Sequence, residues 1–333
     1  METKNLIAAL SLSVAVILLY TLFFPPPPET NNTKKEQIEK VQKQENSDTP
    51  SLDQNENISK ISRKEALNEN ERISFENENI IGSISLVGAT IDDLTFKKYN
   101  TKLNSNEKIV LLNPKKVENG YSIESGFVTN NKNIDTPNAA SLWKVEGNKK
   151  LQKNNPIKLI WKNDQGMIFE KKISLDDQFL FTINEKIINS SDKTYNFFSY
   201  GQIIRNKIPE ITGFYILHEG LIATLDGDLI EEDYDDIQEK KFSRNASKGW
   251  FGIGDKYWIT SIVPPRGKEF KTTFDYKKKF RANFIATEPL ELKGQSKIEE
   301  KLQIIVAAKR VDIIDGYAKS LNIDKFDLVI DWG

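Results

Sequence analysis

IKLIWKNDQGMIFEKKISLDDQFLFTINEKI, residues 157–187, decides the fold. Ile157, Leu159 and Trp161 fall on alternate positions, so they share one face of an extended strand. Phe179, Phe181, Ile183 and Ile187 do the same for a longer strand, with Glu185 as the one exception. Between them residues 167–175 alternate again, after the turn signal Asn163-Asp164-Gln165-Gly166. Strands joined by such short connections pair antiparallel, because a parallel pair needs a long crossover.

Working outward, the same pattern recurs at residues 80–86, 89–96, 121–127, 196–204, 214–217, 257–263, 272–276, 280–285 and 298–308. Val87-Gly88, Asn119-Gly120, Asp226-Gly227 and Pro264-Pro265 punctuate these runs. Many strands with short turns and no alternating helices predict a mainly β protein, two antiparallel sheets packed as a large sandwich. One helical period stands out near the end. Val311, Ile314, Ala318 and Leu321 recur at spacings of three and four, which predicts an amphipathic helix over residues 311–321. Gly316 weakens it by roughly 1 kcal/mol relative to alanine, so it needs docking to persist.

At the amino end residues 6–24, LIAALSLSVAVILLYTLFF, carry no charge. A helix of that length reaches about 28 Å, close to the ~30 Å hydrocarbon core of a bilayer. The run ends in Pro25 to Pro28 without a small-residue cleavage site, which favours an uncleaved membrane anchor over a signal peptide. The anchor is assigned to residues 5–24, its apolar surface built from Leu6, Leu10, Val14, Ile17, Leu18, Phe23 and Phe24. Residues 25–70 begin as a stiff proline spacer and continue in Asn, Lys, Glu, Gln and Ser. That composition predicts a disordered linker with at most a weak helical patch at 34–45. The β-domain is assigned to residues 71–308 and the helix with its flanks to 309–324. Residues 325–333 turn apolar and end in Trp332, which reads as the start of a second membrane segment.

Composition removes several kinds of chemistry. There are 47 Lys and Arg against 48 Asp and Glu, so no global basic field points to nucleic acid. Without cysteine there is neither a disulfide nor a thiolate nucleophile or metal ligand, and His218 is the only histidine. The acidic run at 226–236, DGDLIEEDYDD, fails the EF-hand pattern, with Ile230 and Glu231 where a ligand and a glycine are needed. Gly249, Gly252 and Gly254 stand in the order G-x-x-G-x-G, which is no phosphate loop and suits tight turns or close strand approach. His218-Glu219 remains a conceivable acid/base pair in a sugar cleft, although a rim or packing role suits a lone histidine at a strand end better. No catalytic, cofactor-binding or metal-binding residue is expected.

The segment KGWFGIGDKYWITSIVPP, residues 248–265, resembles the G-W-x-x-x-x-D-K-Y-[FW] signature in the large periplasmic domain of YidC-type membrane protein insertases. The order of span, polar linker, β-domain and closing helix is similar too. So are residues 82–99 (GSISLVGATIDDLTFKKY), 159–181, 215–226 (YILHEGLIATLD) and 309–333 (KRVDIIDGYAKSLNIDKFDLVIDWG), with an alphaproteobacterial flavour. The resemblance covers residues 5–333, the linker matching in composition only. It implies a galactose-mutarotase-like β-supersandwich in the periplasm, tethered to the bacterial inner membrane with the amino terminus inside. The charges flanking the anchor do not decide that orientation alone. The implied function is insertion and folding of inner-membrane proteins, alone or with the Sec translocon and without a cofactor.

In the family, insertion occurs in a groove of a later five-span core, which is expected beyond Gly333 and is not in this chain. The implied partners are the lipid bilayer, Sec components and, through that core, nascent membrane proteins. Gly249, Trp250, Asp255, Lys256 and Tyr257 are expected to be structural, setting a turn and strand. Val311, Ile314, Tyr317 and Leu321 are expected to form the contact with the membrane core. The alternative readings are a membrane-anchored carbohydrate-binding or mutarotase-like module and a tethered periplasmic chaperone.

Overall fold

The computed structural model describes residues 61–209 and 218–330. The expected anchor, the linker up to residue 60, the candidate strand at 214–217 and the last three residues lie outside them. Helix α1 (Arg63–Asn68) leads into β1 (Arg72–Glu76), β2 (Ile80–Ser85), β3 (Thr90–Asn100), β4 (Lys108–Leu112) and β5 (Tyr121–Val128). The short β6 (Lys144–Glu146) and β7 (Lys150–Leu151) precede β8 (Ile157–Lys162), β9 (Met167–Leu175), β10 (Leu180–Asn189) and β11 (Tyr195–Arg205). Next come β12 (Gly220–Leu225), β13 (Asp228–Asp233), helix α2 (Tyr234–Glu239), β14 (Phe242–Ala246), β15 (Gly249–Gly254) and β16 (Trp258–Val263). The chain continues through β17 (Phe270–Tyr276), β18 (Phe280–Ala286), β19 (Leu290–Leu292) and β20 (Ser296–Ala308). It closes with helix α3 (Val311–Ser320) and a 3-10 turn, Phe326–Val329.

These strands form two sheets. Eleven strands run β14-β17-β18-β11-β5-β3-β2-β1-β7, with β19 joined to β11 and β4 to β3. Nine run β13-β12-β15-β16-β20-β10-β9-β8-β6. The pairings are antiparallel apart from β1 with β7. Aromatic rings from opposite sheets meet in the core: Phe75 with Phe181 at 5.1 Å, Phe169 with Phe197 at 6.0 Å, Phe251 with Phe284 at 6.1 Å. Each such pair adds about 0.5–1.5 kcal/mol beyond the area it buries.

Local chemistry fixes the ends of elements. Asp226 and Gly227 both have positive φ (52° and 92°), the backbone of a two-residue hairpin between β12 and β13 whose twist suits the flanking strands. Helix α1 lies within the stretch read as linker, and its order has a physical cause. Ser62 and Glu65 close a capping box, while Arg63 pairs with Asp93 and donates to Asn113 at 3.0 Å. The residues preceding β1 are therefore fastened to the first sheet.

Candidate functional site: the closing helix and the strand beneath it

Helix α3 turns its apolar stripe onto its own sandwich. Ile313, Ile314 and Tyr317 are buried, Leu321 is half-buried and Val311 stays 45% exposed. Of the four residues expected to meet a membrane core, Ile314 and Tyr317 therefore already have partners within this chain. Tyr317 Oη donates to the Asp176 carboxylate (2.7 Å) and accepts from the Phe179 N–H (2.8 Å), both in the turn between β9 and β10. Burial, and then Asp176, push its phenol pKa up. The helix ends in a Schellman motif: Asn322 has φ 49°, and Ile323 N–H reaches the Ala318 carbonyl at 2.9 Å.

That ending directs the chain over β15. Trp250, fully buried, donates from its indole N–H to the Asp324 carbonyl (3.2 Å) and meets Phe326 edge-on at 5.1 Å. Phe326 and Val329 are buried as well, so the apolar character of residues 326–329 serves the globular core. Gly249 is needed here because a Cβ would lie 1.9 Å from the Thr224 carbonyl, and its φ is +140°. At Gly252 a Cβ would meet the Thr260 carbonyl at 2.2 Å. Close strand approach, not a turn, explains these glycines.

The other signature residues lie where β15 turns into β16. Asp255 is paired with half-buried Arg205 of β11 at 2.5 Å, and Arg205 also donates to Tyr234 Oη (3.1 Å) and lies 4.5 Å over the Tyr121 ring. Burial opposes the guanidinium charge, but Asp255 outweighs it and leaves the Arg205 pKa raised. Lys256 N–H donates to Glu219 (2.8 Å), and Tyr257 is 59% exposed with the Lys256 ammonium 5.3 Å above its ring. Of the five signature residues, only Tyr257 is mainly exposed to solvent.

Two further polar groups bear on chemistry. His218 Nδ1 lies 3.0 Å from Asp233, while Glu219 is engaged by the Lys256 backbone rather than by His218. Between the sheets, Lys171 of β9 pairs with Glu185 of β10 at 2.7 Å, and Ser125 of β5 donates to the same carboxylate oxygen at 2.6 Å. Trp143, Phe127 and Tyr200 wall a recess beside this pair, of about 320 Å³ counted to its open mouth. Its inner end has room for one water-sized molecule. Sequence reasoning did not find Arg205, Asp176 or Lys171; the signal for Lys171 was Glu185, the charge interrupting an apolar face.

The family profile described as YidC periplasmic domain matches residues 72–333. The chain belongs to this family. It is 67% identical over 333 residues to the membrane protein insertase YidC of Pelagibacter ubique, covering 100% of this chain and 59% of that protein. The YidC insertase of Rickettsia prowazekii is 37% identical over 338 residues, with 99% and 59% covered. The chain therefore spans less than two thirds of these curated relatives, all alphaproteobacterial. Among solved structures, a galactose mutarotase related enzyme from Lactobacillus acidophilus superposes with a TM-score of 0.51 at 12% identity, covering 71% of this chain and 97% of that one. This likeness identifies the fold as galactose-mutarotase-like, in agreement with the sandwich read from the strand pattern.

Proposed function

We propose that this chain is the membrane-anchored periplasmic part of a membrane protein insertase of the bacterial inner membrane. The observation that carries the reading is the identity of 67% across all 333 residues with a protein named as such an insertase. In this account residues 5–24 anchor the chain, the polar stretch joins that anchor to the sandwich, and the segment after α3 leads to a further span. The sandwich serves assembly rather than chemistry, and contacts with Sec components and nascent membrane proteins belong to the longer protein. Of the helix residues expected to meet the membrane core, exposed Val311 and half-buried Leu321 are the ones available for that contact.

The test is growth after depletion of a host's own insertase. Residues 1–333 joined in frame to the remainder of the Pelagibacter ubique relative should restore growth, and residues 1–333 alone should not. Growth with the short chain alone would overturn the proposal. The fold likeness favours a second reading, a carbohydrate module using His218. Calorimetry against common hexoses decides it: heat that vanishes in His218→Ala would establish sugar binding, and no heat would remove it.

A further inference from the structure

The outward face of the nine-stranded sheet carries an unbalanced charge. Strand pairing sets its side chains in rows. One row reads Glu146, Lys158, Lys172, Asn184, Lys301 across β6, β8, β9, β10 and β20. A second reads Lys162, Ile168, Ile188, Lys297. The row between them adds Lys144, Ile160, Glu170, Lys186 and Glu299. Seven lysines thus face three glutamates on a surface about 20 Å wide, in a chain whose net charge is −1.

Only part of this charge is compensated within the chain. Lys158 and Lys186 are bridged to Glu146 and Glu170. Among the described residues, Lys162, Lys172, Lys297 and Lys301 enter no ion pair, and all four are exposed. Lys158 and Lys172 stand directly opposite each other, an arrangement that destabilises a sheet. Half-buried Ile160, Ile168 and Ile188 lie among the lysines. At the other end of the same sheet, β13 carries Asp228, Glu231, Glu232 and Asp233 and no base. Charge is segregated along the sheet rather than sprinkled over it.

We infer that this basic face docks onto an anionic phospholipid surface. A broad sheet face matches a planar array of phosphates, long lysine stems keep their ammonium groups at headgroup level, and the isoleucines supply modest apolar contact. The acidic β13 edge is repelled, which gives the docked domain one orientation. The inference draws on the membrane-tethered reading for the presence of a bilayer.

The test uses the full chain in lipid nanodiscs, neutral phosphatidylcholine against the same lipid with phosphatidylglycerol, read by lysine acylation and mass spectrometry. Acylation of Lys172 and Lys301 should slow in the anionic discs and recover at high salt, while Lys241, outside the face, stays unchanged. Lys172→Gln with Lys301→Gln should weaken the remaining protection at Lys162 and Lys297 roughly fivefold per lysine removed. Both substitutions are at exposed positions and leave the fold intact by circular dichroism. Equal acylation in the two kinds of disc overturns the inference. So does protection that appears in neutral discs only when an acidic protein is added, since the face would then belong to a polypeptide partner. Either failure leaves the growth test of the insertase reading unaffected.

Discussion

Lys171 and Glu185 stand opposite each other on neighbouring strands, sealed between the sheets with Ser125 reaching across from the other layer. Such a pair contributes little net stability when whole, yet removing one partner leaves a buried charge uncompensated. Lys171→Met should therefore cost about 3–5 kcal/mol in urea unfolding, and Lys171→Met with Glu185→Leu should cost less than either single change. Additive losses would contradict that account. Glu185 was visible in the sequence as a charge out of place on an apolar face, but its partner was not. Lys171 is brought to it by the register of β9 on β10, and register is a property of two strands together. Arg205 and Asp255 repeat the case: Asp255 could be singled out by the signature, whereas its cation lies 50 residues away on the other sheet.

The closing helix shows what an element adds. Its apolar period was legible because α3 packs on one side only, but the buried face is turned from the one read: Ile313, Ile314 and Tyr317 are buried, whereas Val311 is exposed and Ala318 and Leu321 are half-buried. What it packs against was not legible, since a stripe looks the same whether it meets a membrane protein or its own domain. Gly316 sits inside the helix with open space around the position of a Cβ. Gly316→Ala should raise stability by about 0.5–1 kcal/mol, by easing helix formation without touching a neighbour. A melting temperature that fell would mean that the glycine has a contact or motion to preserve. Tyr317→Phe should act in the opposite direction, costing about 1–3 kcal/mol, because the Phe179 N–H loses its acceptor and Asp176 its donor. Strands β12 and β15 were missed for a complementary reason. GLIATL is buried at every position and GWFGIG at all but the first, so neither presents a period of two.

At the scale of the whole molecule, the alternation of residues 157–187 was enough for the class of fold, and the pairing of two sheets follows from the need to cover both inner faces. The ordered α1 was lost to composition, since a capping box and two contacts outweigh a polar sequence. Surface electrostatics give the domain an acid-sensitive side. Burial raises the Glu170 pKa, but Lys186 and Lys158 outweigh it and hold the carboxyl below its ordinary 4.5. Asp226 is likewise raised by burial yet held below 3.8 by Ser247 and the Lys248 N–H. In both cases the unfolded chain takes up the proton first, so their stabilisation is complete above those ordinary values and lost as pH falls through the folded ones. Urea midpoints should fall below about pH 4.5, and Glu170→Gln should flatten that decline; an unchanged acid limb would contradict it. Growth integrates many clients, so the most direct measurement is insertion of one. In cells depleted of their own insertase, the protease protection of a single-span membrane protein is followed after a radioactive pulse. The account predicts normal insertion when residues 1–333 are joined to the rest of the Pelagibacter ubique relative, and none with residues 1–333 alone. Insertion supported by the short chain by itself would contradict it.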